Sequence, residues 1–237
     1  MSAPALFKRI ASQYDALWTD TPVGKAQRDS VWRVVDPLFQ SGQSILDIGC
    51  GTGADAAHFV SRGIAVHAID SSPDMIREAS SRNGFTTQVL AAEELHKLYG
   101  PFDGAISNFG ALNCVADLSG VAHDLGSLVR PGGRVAICVI GRFCAWETLY
   151  YAARFDFKRA SRRLRGRSGD IFYPTVAELR EVFASHFKLE RWTGIGMLTP
   201  PSYVKLPAGI VRRLAWWDRF PLLRAIADHR LLIFVRK

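Results

Sequence analysis

Between residues 27 and 140, short apolar runs alternate with longer stretches of helical character, the pattern of a parallel sheet covered by helices on both faces. The runs are Ser44 to Ile48, Ala65 to Ile69, Thr87 to Leu90, Ala105 to Ser107 and Arg134 to Ile140. The segments between them are long enough for right-handed crossovers. Several helix boundaries are legible in single residues. Ser72-Pro73 supplies an N-cap followed by proline at the first helical position. Thr175 with Glu178 forms a capping box ahead of the apolar Leu179, Val182 and Phe183. Pro131-Gly132-Gly133 is expected to end a helix at about Leu118 to Val129 and to turn the chain into the fifth strand.

Past residue 140 the alternation gives way to two insertions, at about 142–170 and 199–228. They are separated by a helix at 175–185 and a strand near 187–197, and the last strand is Leu231 to Val235. Connections of this length that hold amphipathic helices are expected to cover something, so both are read as walls over a ligand site. With 237 residues, 48% of them hydrophobic, the chain has material for one sizeable core. The expected organisation is a single domain over 1–237, with N-terminal cap helices in 1–40, a ligand-binding core in 41–141 and substrate-side insertions in 142–170 and 199–228.

The net charge of +8 is unevenly placed. Residues 1–141 carry 11 Lys and Arg against 14 Asp and Glu, whereas 142–168 and 198–237 each carry 8 against 2. Such basic clusters suit nucleic acid, an anionic membrane surface or an acidic substrate, or form a solvated helix face. The amphipathic basic stretch from Ile210 to Ala227, broken at Pro221, allows peripheral membrane contact, although most such stretches pack on their own domain. No run of 18 apolar residues and no signal peptide is visible, which predicts a cytoplasmic protein. Cys50, Cys114, Cys138 and Cys144 show no CxxC pairing and no zinc spacing with the histidines, so no metal site is expected.

Candidate chemistry concentrates in Ile45-Leu46-Asp47-Ile48-Gly49-Cys50-Gly51-Thr52-Gly53, a buried strand running into a glycine-rich turn and then a helix. Glycines allow a tight turn and close approach to a ligand, and the helix start offers unpaired N–H donors. Asp70 ends the next strand, 21 residues after Gly49, where a carboxylate can accept the hydroxyls of an adenosine ribose. The same glycines satisfy the dinucleotide fingerprint, with Asp70 then selecting NAD. Asp47 argues otherwise, because an extra negative charge beside a diphosphate is unfavourable, while a ligand carrying an ammonium and a sulfonium would gain from it.

ILDIGCGTG, AID at 68–70, FDGAISNFGALN at 102–113 and LVRPGGRVAI at 128–137 resemble the successive motifs of class I S-adenosylmethionine-dependent methyltransferases. The leading Phe7, Ile10-Ala11 and Tyr14-Asp15 resemble the small-molecule branch that includes the ubiquinone and menaquinone methyltransferases. The resemblance implies an α/β, Rossmann-like, seven-stranded, mostly parallel sheet with helical insertions after strand 5 and between strands 6 and 7. It also implies residue roles. Asp47 and the loop Gly49, Cys50, Gly51 and Gly53 would hold the methionine part of S-adenosyl-L-methionine, and Asp70 the ribose. Ser71 and Met75 would pack near the adenine, with Ala92 and Glu93 at its amino group, where the familiar residue is aspartate. Asn108 and Phe109 would line the transfer site, and Tyr14 would close over the cofactor.

Methyl transfer is an in-line displacement that relies on proximity, so no catalytic residue is assigned. His123 is expected to have a structural or solvent-facing role. The insertions are rich in aromatics, including Tyr203, Trp216, Trp217 and Phe220, most of them expected as packing. Trp146, Tyr150 and Tyr151 follow the fifth strand closely and are the candidates for binding a small, apolar or aromatic acceptor. A nucleic-acid methyltransferase is the alternative, suggested by Arg159, Arg162, Arg163, Arg165 and Arg167. Against it, Asn108-Phe109-Gly110-Ala111 does not resemble the Asn/Asp-Pro-Pro-Tyr of base-amino enzymes, and nucleic acid is not the expected partner. An NAD-dependent oxidoreductase is the lesser alternative.

Overall fold

The computed structural model describes residues 11–201, 204 and 206–237; Phe7, Ile10 and Tyr203 lie outside the described residues. Five strands arise where the apolar runs predict them: β1 (Ser44–Ile48), β2 (Ala65–Asp70), β3 (Thr86–Val89), β4 (Phe102–Ser107) and β5 (Val129–Ile140). Two more, β8 (Phe187–Ile195) and β9 (His229–Arg236), complete a seven-stranded sheet of order β3-β2-β1-β4-β5-β9-β8. The first five pair in parallel, and β9 runs antiparallel to both β5 and β8. From β1 the chain proceeds outward through β2 and β3 on one side, then returns to β4 and β5 on the other. A crevice at the carboxyl ends of β1 and β4 follows from that reversal.

The two-residue period of the strands sorts the core into two layers. Leu46, Ile48, Val135, Ile137, Val139, Leu232 and Phe234 face one side, where they meet Val121 and Leu125 of α4 (Ser119–Leu128) and Leu179 of α7 (Val176–Val182). Ile45, Ala136, Cys138, Leu231 and Ile233 face the other. There they pack on Val31 of α1 (Pro22–Val35), Phe59 of α2 (Ala54–Ser61) and Ile76 of α3 (Pro73–Ser80). The caps form as expected: Ser72 Oγ accepts from the Met75 amide at 3.3 Å, and Thr175 and Glu178 exchange side-chain-to-backbone bonds at 3.1 and 2.7 Å.

One boundary differs from the expectation. Pro131-Gly132-Gly133 does not precede the fifth strand but lies inside it, because β5 begins at Val129 as soon as α4 ends. Phe102 pairs with Val129 and Gly104 with Arg134, so the three residues bulge out of the ladder, with Gly132 at φ +77°.

The first insertion is less helical than expected. After α5 (Ala145–Ala152) and α6 (Phe157–Ala160) it forms a small hairpin, β6 (Arg167–Ser168) with β7 (Ile171–Phe172). Part of its positive charge turns inward. Glu147, 4% exposed, accepts from Arg162 at 2.7 and 3.0 Å and from Arg163 at 3.1 and 2.6 Å. Arg163 also reaches Asp228 at 2.9 Å, and Arg230 donates to the carbonyls of Phe143, Ala225 and Ala227. The second insertion is α8 (Ala208–Ala215) followed by 3-10 turns at Trp216–Arg219 and Pro221–Ile226. No helix among the described residues is long and apolar enough to cross a membrane.

Candidate active site

At the crevice the backbone of β1 enters a turn in which Gly49, Gly51 and Gly53 all take positive φ, at +70°, +55° and +78°. The Gly49 and Cys50 amides donate to Ile69 O at 2.8 and 2.9 Å, tying the turn to the end of β2. A Cβ at Gly49 would lie 2.2 Å from the Ala111 Cβ, whereas at Gly51 it would meet nothing within 4 Å. Gly49 is thus required by packing, and Gly51 leaves open space at the ligand side of the loop. Asp70 completes the turn from below: its Oδ2 accepts from the Gly51 amide at 2.9 Å and its Oδ1 from Ser72 at 2.8 Å. Burial raises its pKa, against the opposing effect of those two bonds.

The turn borders a cavity of about 340 Å³. Its lining brings together Tyr14, Gly49, Gly51, Asp70, Ser71, Met75, Ala92, Glu93, Asn108 and Phe109, all singled out from the sequence. Leu90, Ala91, Gly110, Ala111, Cys114 and Val115 also line it. Three expected residues stand behind the surface instead. Asp47 is 1% exposed within β1, the Cys50 thiol is buried and its pKa is driven up by that burial, and Gly53 caps α2. Trp146, Tyr150 and Tyr151 are not in the lining. Trp146 Nε1 donates to Leu198 O at 2.7 Å, and the two tyrosines stack edge to face at 5.3 Å beneath Arg154 and Arg159. His123 is exposed on α4, 5.4 Å from the ring of His186.

Behind the loop lies a buried polar network that single-residue motifs do not announce. Arg28 of α1 reaches Asp55 of α2 at 2.5 Å, and Asp55 also accepts from Trp32 Nε1 at 2.7 Å and Asn108 Nδ2 at 3.1 Å. Asp47 belongs to the same electrostatic cluster, yet its Oδ2 is buried without a hydrogen-bond partner. Burial, then the Asp55 carboxylate and, more weakly, Asp70 hold its pKa well above the usual carboxylate range, with Arg28 working in the opposite direction. Tyr14 is pushed up to about 12, mainly by burial, so its phenol stays protonated. Phe109 sits at φ +49°, a position rare for a bulky residue, with Arg28 over its ring at 4.9 Å and His229 against its edge at 5.4 Å. Ser107 Oγ donates to Ile48 O at 2.9 Å and locks the ends of β4 and β1 together. No cluster of potential metal ligands occurs among the described residues.

Residues 45–133, the glycine turn, the Asp70 strand end and the strand carrying Asn108, match the methyltransferase domain family. That span is similar to a methyltransferase domain. The chain is 33% identical over 143 residues to the demethylmenaquinone methyltransferase of Thermobifida fusca, a match covering 56% of this chain and 59% of that protein. It therefore spans less than two thirds of that relative's own length. Two solved structures share the fold. One is a chain of the complex between a Haloferax volcanii methyltransferase activator and a methyltransferase, with TM-score 0.63, 18% identity and coverage of 97% and 96%. The other is the magnesium protoporphyrin IX methyltransferase of Synechocystis with bound SAH, with TM-score 0.61, 16% identity and coverage of 91% and 86%.

Proposed function

We propose that the protein transfers a methyl group from S-adenosyl-L-methionine to a small or medium-sized, apolar or ring-containing acceptor by direct in-line displacement. The observation that carries this reading is the charge around the glycine loop. Asp47 and Asp55 share one buried guanidinium, Arg28, Asp70 adds a further carboxylate beside Asp47, and Asp47 has an oxygen with no partner. A ligand bearing an ammonium and a sulfonium supplies the missing positive charge, whereas a diphosphate would add to the excess. The open space at Gly51 fits a ligand laid directly on the backbone.

In this reading Asp47 and the turn from Gly49 through Cys50 and Gly51 to Gly53 hold the methionine portion. Asp70 accepts the ribose hydroxyls with the lone pairs that the Gly51 and Ser72 amides leave over. Ser71 and Met75 flank the adenine, Ala92 and Glu93 meet its amino group, and Tyr14 closes over the top. The bound cofactor supplies an electrophilic methyl carbon on sulfur. Asn108 and Phe109 hold the reacting end, and the apolar Val115 beside them favours an acceptor with little charge. Such chemistry draws on alignment and exclusion of water and needs no covalent intermediate. Trp146, Tyr150 and Tyr151, although outside the cavity lining, enter the proposal as contacts for the part of the acceptor that extends beyond it. Replacing each should raise KM for the acceptor and leave cofactor affinity unchanged.

The name of the Thermobifida fusca relative points to a demethylated quinol as a first acceptor to try. The test supplies methyl-labelled S-adenosylmethionine with a panel of apolar quinols and phenols and reads the label in the organic product. Labelled product from one of them supports the acceptor class. Binding of S-adenosylhomocysteine without any labelled product would refute the acceptor class alone, and absence of that binding would refute the cofactor.

A further inference from the structure

Away from the cavity, the turns after α8 present apolar side chains that the core does not use. Trp216, Trp217, Phe220 and Leu222 are 48%, 44%, 39% and 91% exposed, and the three rings pack on one another with centroids 5.0 to 5.8 Å apart. The cluster stands on a fixed base. Asp218, only 3% exposed, accepts from the Gly196 and Met197 amides at 2.9 Å each and so pins the turn to the end of β8.

Beside the wedge, between the end of α1, the β8 strand and this turn, lies a hollow of about 320 Å³ lined by Arg33, Arg191 and Arg219. None of the three guanidinium groups makes an ion pair or a side-chain hydrogen bond among the described residues. The one carboxylate in the lining, Asp218, already accepts from backbone. Burial and then the charge of Arg219 lower the Arg33 pKa, with Asp218 and Asp29 working in the opposite direction. Arg212 and Arg213 extend the positive rim along α8.

We propose that this face docks on an anionic bilayer, with the Trp216, Trp217, Phe220 and Leu222 wedge entering the headgroup boundary and the arginine hollow receiving a lipid phosphate. Tryptophan suits the interface because its ring is apolar and its N–H remains hydrated, and each nearby arginine adds attraction to anionic lipid. A second copy of the chain fits less well, since it would set one arginine cluster against another. Single-stranded nucleic acid also fits less well. The three rings are spent on each other instead of spread as stacking platforms, and the most exposed member, Leu222, is aliphatic. The inference stands apart from the methyl-transfer reading.

The test is co-sedimentation of the full chain with vesicles of phosphatidylcholine alone and of equimolar phosphatidylcholine and phosphatidylglycerol. Binding is expected only to the anionic vesicles and should weaken with salt. Removing the hollow's charge in R33Q, R191Q and R219Q should cost about fivefold in partitioning per arginine, the equivalent of about 1 kcal/mol each. The pair W217S and L222S should reduce it as well. All of these positions are on the surface, and unchanged S-adenosylhomocysteine binding and melting temperature would verify that the variants are folded. Any of four results overturns the proposal: no vesicle binding, equal binding to neutral vesicles, full binding by both variant sets, or a gel shift with RNA stronger than the vesicle interaction. A dimer dissolved by W217S would overturn it too, in favour of self-association.

Discussion

Replacing Gly49 and Gly51 with alanine, one at a time, separates the two jobs of the glycine turn. At both positions φ is positive, +70° and +55°, so either alanine pays about 1–2 kcal/mol for a left-handed backbone. At Gly49 the new methyl would also lie 2.2 Å from the Ala111 Cβ, an overlap that shifts backbone and costs about 1–3 kcal/mol more. Gly49→Ala should thus lose roughly 2–5 kcal/mol of stability. At about 2–4 °C per kcal/mol for a chain of this size, its melting temperature should fall by about 4–20 °C. At Gly51 there is nothing within 4 Å, so only the conformational cost applies and the melting temperature should fall by about 2–8 °C. Its methyl, however, projects beside a cavity that Gly51 itself lines, where it should weaken S-adenosylhomocysteine binding about 5- to 150-fold, the equivalent of about 1–3 kcal/mol. Differential scanning fluorimetry and calorimetric titration measure the two quantities separately. Undiminished affinity in a folded Gly51→Ala variant would refute the idea that a ligand lies on this turn.

Asp70→Ala removes the acceptor for two backbone amides as well as the proposed ribose contact. Titration should show S-adenosylhomocysteine affinity reduced by about 1.5–3 kcal/mol, and unchanged affinity would move the ribose elsewhere. The raised pKa values of Asp47 and Asp70 have a definite sign. The ligand-free fold binds more protons than the unfolded chain, so their contribution is most favourable at low pH and is lost as pH rises through the folded values. Asp47→Asn should accordingly gain stability over wild type as pH increases, by up to about 1.4 kcal/mol per pH unit, in denaturant titrations without ligand. Conversely, a cation binds the ionised carboxylates, so wild-type affinity for S-adenosylmethionine should rise with pH over the same window, with proton release visible in buffers of different ionisation enthalpy. Glu147→Gln removes the buried carboxylate that Arg162 and Arg163 share, leaving Arg163 only Asp228, and should cost about 3–5 kcal/mol in chemical denaturation, while cofactor affinity is retained.

What the sequence disclosed follows from how local each signal is. β1, β4, all of β2 but Ala65, and β5 from Gly133 onward are buried or half-buried, so apolar clustering marks them directly, whereas β3 at the sheet edge is exposed at Thr86 and Val89. The Thr175–Glu178 box and the Ser72 cap were legible because they close within three residues. Gly49, Gly51, Asp70 and Asn108 could be assembled because each ends a strand or lies in the turn just after one, and parallel strands bring their carboxyl ends to one edge. The Arg28–Asp55–Asn108 network was not legible, since its members are far apart in the chain and Arg28 lies on an ordinary-looking helix. The β6–β7 hairpin, with two residues per strand and Gly169 at φ +61°, is too short to leave a period. The basic excess at 142–168 suggested outside partners, whereas Arg162 and Arg163 spend their charge on Glu147, a pairing that only the folded insertion reveals.

Whether the crevice receives a positively charged sulfur nucleoside is most directly settled by titrating S-adenosylmethionine and NAD into the same preparation, with Asp47→Asn in parallel. Saturable heat from S-adenosylmethionine, none from NAD and a weakened S-adenosylmethionine isotherm in the variant are predicted. Tighter binding of NAD, or equal S-adenosylmethionine binding with and without the Asp47 carboxylate, would contradict the account.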